Sequence, residues 1–344
     1  MADVSTETEN AVRTLDVKKG LVKGRTRWYS LITLLLLAGT LAEFLTGSTP
    51  VLTAILSPLG LGFLVGLYGG GALLIREAAI RWGKRWGTIL LLGGAYAVAE
   101  EGFGAKTMID PTGSNIGNQL YTHFAGVNWV PLAALTLFHA AFSIMVPLLL
   151  VELMFPETKG KRLVGNTGLA ISMVIFTVTV ALISRADPFM PSIPVILFLS
   201  VYAGAFIIAG FFVRSSFLQA KNERPDRSER KFVLLGIGFM SGFFLDFTIG
   251  HLLPWPLQAL LFLPLAILTA RYLVAHAGRI GNSIVKIDFI LGCLLVFIPL
   301  DFINELAGDI GVLFYTIFVV ALAFRTRQRV LLSSKVETLA SLTG

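Results

Sequence analysis

The stretch WVPLAALTLFHAAFSIMVPLLLV (129–151) is apolar from end to end and is interrupted by one ionisable residue, His139. At about 1.5 Å per helical residue it is long enough for the ~30 Å hydrocarbon core of a bilayer. It does not alternate, so it is not a barrel strand. It also lacks the polar face that a surface helix of a soluble domain carries. The stretch therefore predicts a membrane-crossing helix.

Working outward, comparable runs occur at 28–46, 58–75, 88–105, 164–184, 193–213, 232–252, 256–275, 287–305 and 308–324. Composition agrees. Of 344 residues, 55% are hydrophobic and 14% charged, against about a quarter charged in a soluble domain. The mean hydropathy is +0.77. The expected fold class is all-α, a polytopic transmembrane bundle of about ten helices.

Charge sets the expected orientation. If the N-terminus is inside, twenty-six of the 28 Lys and Arg residues fall in inner segments, leaving only Lys106 and Arg185 outside. That asymmetry is the positive-inside pattern, with both termini cytoplasmic. It also accounts for the net charge of +7, so no nucleic-acid partner is implied. The expected organisation is a cytoplasmic tail over 1–27, one transmembrane domain over 28–324 and a cytoplasmic tail over 325–344. Residues 1–20 are polar, so no cleavable signal peptide is expected. The single cysteine, Cys293, excludes a disulfide within the chain. The loop 106–128, with Asp110, Pro111, Gly113, Asn115, Gly117, Asn118 and His123, carries turn chemistry rather than a folded module. The segment 222–231 reads as a mixed-charge linker.

Ionisable groups within a bilayer are costly, which makes each a candidate site. Counted from the inner end of each helix, Glu101, His139, Asp246 and Asp301 all lie about 20 Å up, with Glu43 slightly higher. Glu100, Glu101, His139, Asp246 and Asp301 thus form one expected layer nearer the outer face. Such a layer could line a cavity that shares protons, holds a cation or performs acid–base work. The alternative is that each acid merely satisfies itself at a helix end, a reading that suits Asp301, Asn304, Glu305 and Asp309. Glu100 and Glu101 are adjacent and point about 100° apart on an α-helix. One is therefore expected to act while the other positions it or pairs with Lys106. Gly62, Gly66 and Gly70 recur every fourth residue and predict a close-packing stripe. The strand–turn–helix context of a phosphate loop is missing there. No cofactor is expected, and the metal question stays open. The expected partners are the lipid bilayer and a small solute, proton or cation.

The stretches LYGGGALLIREAAIRWGKRW (67–86), AYAVAEEGFGAKTMIDP (95–111) and GVNWVPLAALTLFHAAFSIMVPLLLVELMFPE (126–157) resemble an uncharacterised group of prokaryotic polytopic membrane proteins. The resemblance implies a place in a prokaryotic cytoplasmic membrane. Glu100-Glu101 followed by His139 also resembles the paired-glutamate and histidine motifs of the CPBP (CAAX protease and bacteriocin-processing) intramembrane proteases. That resemblance implies Glu101 or Glu100 as general base, with His139 assisting or binding metal. The pattern departs at Ala105, where arginine is expected, at Phe138, which adjoins His139, and after His251, where no third motif fits. Three readings follow: a transporter or solute-binding protein with an outward-facing acidic and histidine cavity, a membrane-embedded hydrolase, and a non-catalytic scaffold or immunity-type protein.

Overall fold

The computed structural model describes residues 21–22, 24–112, 120–215, 230–276 and 283–343. The turn residues Gly113, Asn115, Gly117 and Asn118, and most of the 222–231 linker, lie outside that set. All ten expected segments are helical: α1 (Arg25–Leu45), α2 (Pro58–Arg81), α3 (Trp86–Ala97, continued by Val98–Gly104), α4 (Trp129–Met154), α5 (Asn166–Ala186), α6 (Ile193–Phe212), α7 (Arg230–Leu252), α8 (Trp255–His276), α9 (Ser283–Leu306) and α10 (Val312–Thr343). Eight of these are long and apolar enough to cross a membrane. The exceptions are α3, whose hydropathy is lowered by Glu100, Glu101 and its glycines, and α10, which carries Arg325, Arg327 and Arg329. The last helix does not end at 324, where a tail was expected, but continues to Thr343. The described strands are one two-residue pair, β1 (His123–Phe124) and β2 (Val127–Asn128).

Local chemistry sets several helix boundaries. Ser57 Oγ accepts from the Gly60 amide at 3.0 Å, and Pro58 occupies the first turn of α2, where its missing N–H costs nothing. Helix α4 is the centre of the bundle. In its membrane window 72% of residues are buried, against 6% for α5. The apolar outer faces of α5, α6 and α8 suit lipid, not water.

Close approach depends on missing side chains. Gly69 on α2 lies against the Leu35 backbone of α1, where a Cβ would come within 2.6 Å of the carbonyl oxygen. Gly93 on α3 meets Ala140 on α4 similarly. Gly236 on α7 and Gly292 on α9 face one another, and a Cβ on either would run into a backbone carbonyl, of Phe289 or Val233. The expected stripe divides: Gly66 abuts Thr179 and Gly70 abuts Phe176, both on α5, whereas Gly62 faces open space.

At the end of α2, Glu77 is fully buried between Arg76, at 3.2 Å, and Arg81. Its carboxylate also accepts from the Leu163 amide at 2.6 Å. Arg76 donates to the Thr158 carbonyl, Arg81 to that of Val164 and Arg27 to that of Leu163. Three guanidiniums and one carboxylate therefore clamp the α4–α5 connection to the bundle.

Candidate functional site

Three helices leave α geometry for a π turn: α2 at Val65–Gly69, α3 at Val98–Gly104 and α4 at His139–Met145. Local sequence permits each. Glycines 66, 69 and 70 loosen α2, and Gly102 and Gly104 loosen α3. In α4, Pro147 cannot donate to the Ser143 carbonyl and its ring would crowd it, a clash that a wider turn just upstream relieves. Single π turns concentrate at functional sites. Here the three carry Tyr68, Glu100 with Glu101, and His139.

These side chains converge. His139 Nε2 lies 3.0 Å from Glu101 Oε1, and Nδ1 lies 3.3 Å from Glu100 Oε2. Ser143 Oγ also contacts Nδ1, at 3.0 Å. Thr107 donates its hydroxyl to Glu101 Oε2. Glu43, from α1, accepts from the Tyr68 hydroxyl and, at 2.5 Å, from Thr49. The rings of Tyr68 and Tyr96 each lie 6.1 Å from that of His139. Glu100 and His139 are buried, and the Glu101 side chain retains 13% exposure. Glu100 Oε2 and the Tyr96 hydroxyl are buried without a well-formed hydrogen bond, although the two groups interact electrostatically. The ligand-type atoms of Glu100, Glu101 and His139 all lie within 4.8 Å of one another, so these are the residues that could hold a metal.

Neither glutamate pairs with Lys106. Both reach His139, because the π turn is wider than an α turn and the imidazole presents a nitrogen to each. Lys106 is not their counter-charge. It sits beyond the end of α3 with φ +57°, and its buried ammonium donates to the carbonyls of Asp187 and Phe189, each at 2.7 Å. An ammonium removed from water needs such acceptors.

The expected layer separates into two groups. Asp301 accepts from Asn304 at 3.1 Å and from Thr316. The Asp246 carbonyl accepts from Gln258 at 2.9 Å, and Gln258 in turn accepts from Tyr121. Among the described residues no hydrogen bond or ion pair joins Asp246 or Asp301 to the His139 cluster. Where α4 meets α7 and α9 the contacts include phenyl rings: Phe138 with Phe243 at 5.4 Å, and Phe142 with Phe297 at 5.1 Å. Depth along a helix, which the sequence gives, does not say which face a residue occupies.

Sequence reasoning missed Tyr68, Tyr96, Thr107 and Ser143. Helical arithmetic offers a signal for two of them, since Tyr96 precedes Glu100 by four and Ser143 follows His139 by four. Tyr68 carries no such signal, because its helix holds no other member of the site.

A helical bundle with eight candidate spans and a buried polar site within it defines a multi-pass membrane protein. More particularly, residues 32–342 match a family described as an uncharacterized membrane protein family, and the chain belongs to it. No curated protein and no solved structure matches the chain. These comparisons lend no support to the resemblance to CPBP proteases.

Proposed function

We propose that the chain is a transporter or solute-binding membrane protein whose Glu100–Glu101–His139 site takes up a proton or small cation from the outer side, in a prokaryotic cytoplasmic membrane with both termini inside. The observation that carries this reading is the convergence of three π turns on one buried carboxylate–imidazole cluster. Electrostatics supports it. Three carboxylates, Glu43, Glu100 and Glu101, surround one imidazole. Among the described residues no Lys or Arg forms an ion pair with any of them. Buried carboxylates are stable only when paired, protonated or bound to a cation, so the cluster favours incoming positive charge. Asp246, Asp301 and Lys106 stand outside this cluster.

The test is reconstitution into liposomes with a trapped pH indicator and an imposed proton or cation gradient. Wild type is expected to carry flux, and Glu101→Gln and His139→Asn to lower it by roughly tenfold or more, the usual scale for loss of an acid–base group. Wild-type vesicles indistinguishable from empty ones across protons and a panel of cations would overturn the proposal.

One observation favours a second reading, an intramembrane hydrolase. Glu101, the more exposed of the pair, meets His139 at 3.0 Å across neighbouring helices, which is the geometry a base and its partner require. Hydrolysis of a membrane-anchored peptide, abolished in Glu101→Gln, would support it over transport.

A further inference from the structure

We propose that Glu100, Glu101 and His139 bind a divalent first-row transition-metal ion of the zinc, manganese or iron type. The inference rests on the reading above, that this cluster attracts positive charge, and names the class of ion.

Geometry comes first. Donors about 2.0–2.2 Å from a common ion lie at most ~4.4 Å apart, and the donor atoms here all lie within 4.8 Å. The 3.0 Å between His139 Nε2 and Glu101 Oε1 is close to the ~3.4 Å edge of a tetrahedron with ~2.1 Å arms. A small adjustment of side chains would close the site.

Glu100 Oε2 supplies an independent observation. It belongs to a buried side chain and lies 3.3 Å from His139 Nδ1, with tyrosine hydroxyls beside it, so a second carboxylate reaches the imidazole within the cluster.

Donor chemistry narrows the class. One imidazole with two carboxylates suits a borderline ion, whereas calcium and magnesium prefer oxygen alone. Two carboxylates also match the charge of a divalent ion.

The surroundings are those of ligands held in place. Ser143 Oγ contacts Nδ1, which leaves Nε2 toward Glu101, and Thr107 fixes the second oxygen of Glu101. Partners of this kind orient metal ligands and set their tautomer. The Tyr96 hydroxyl stands beside Glu100 as a further oxygen.

The experiment uses the full-length protein in detergent, stripped with a chelator, loaded with Zn2+ or Co2+ and desalted. Elemental analysis is expected to find about one ion per chain, and Co2+ to show visible d–d bands of a low-symmetry site. Glu100→Gln and His139→Asn should weaken retention by roughly tenfold or more, while Asp301→Asn should retain the metal. If His139→Asn fails to fold, His139→Cys decides, since a thiolate ligand should restore binding and add a sulfur-to-Co2+ charge-transfer band. Wild type that retains no ion, His139→Asn that retains as much as wild type, or His139→Cys without that band would overturn the metal site. Proton flux that depends on Glu101, in a wild type that retains no ion after loading, would remove this inference and leave the proposed function standing. One bound ion without any flux would do the reverse.

Discussion

Glu77 and Glu100 are both buried carboxylates, and their surroundings could hardly differ more. Glu77 is saturated: two guanidiniums flank it and a backbone amide donates to it. Glu100 keeps an oxygen without a hydrogen bond. Glu77→Gln is therefore expected to destabilise the fold by about 3–5 kcal/mol, because two partly buried guanidiniums lose their partner. A thermal-unfolding midpoint in detergent should fall clearly below that of wild type, and an unchanged midpoint would contradict the structural role. The sequence singled out Glu100, Glu101 and His139 because a charge in an apolar run is conspicuous. It set Asp301 apart only by its place beside Asn304, Glu305 and Asp309 near a helix end, and the structure gives Asp301 the partners Thr316 and Asn304. Partners lie on other helices and are set by rotation, which composition does not encode.

At the scale of elements, helix positions were legible and helix contacts were not. Length and hydropathy located ten helical segments, eight of them long and apolar enough to cross a membrane. The four-residue glycine repeat drew attention to α2, yet the tightest glycine crossing among the described residues is Gly236 on α7 against Gly292 on α9. Only a packed neighbour distinguishes these from glycines facing lipid. Gly236→Ala and Gly292→Ala are each expected to cost about 1–3 kcal/mol through overpacking. Gly62→Ala, with open space around it, should leave stability unchanged or slightly raised. Unfolding curves of the three variants measured side by side check the ordering, and equal effects would refute it. The π turns were likewise invisible in advance, although Pro147 and the glycines that permit them stood in the sequence.

For the whole molecule, the charge count makes a prediction about direction. Leu332 on α10 and Leu120 before β1 are both exposed, and they fall in segments assigned to the inner and outer sides. The native Cys293 is buried, so it is a quiet background for thiol labelling. In intact cells a membrane-impermeant thiol reagent should modify Leu120→Cys and spare Leu332→Cys until the membrane is opened. The opposite pattern would invert the topology and, with it, the side from which the site is approached.

The phenylalanine contacts between α4 and its neighbours α7 and α9 bear on traffic as well as packing. A benzene ring offers neither donor nor acceptor, so a proton cannot hop across Phe138–Phe243 or Phe142–Phe297. On the proposed function, a proton or ion therefore reaches His139 from the side of Glu101, Glu43 and the tyrosines, and Asp246 and Asp301, on α7 and α9, are not steps on its way.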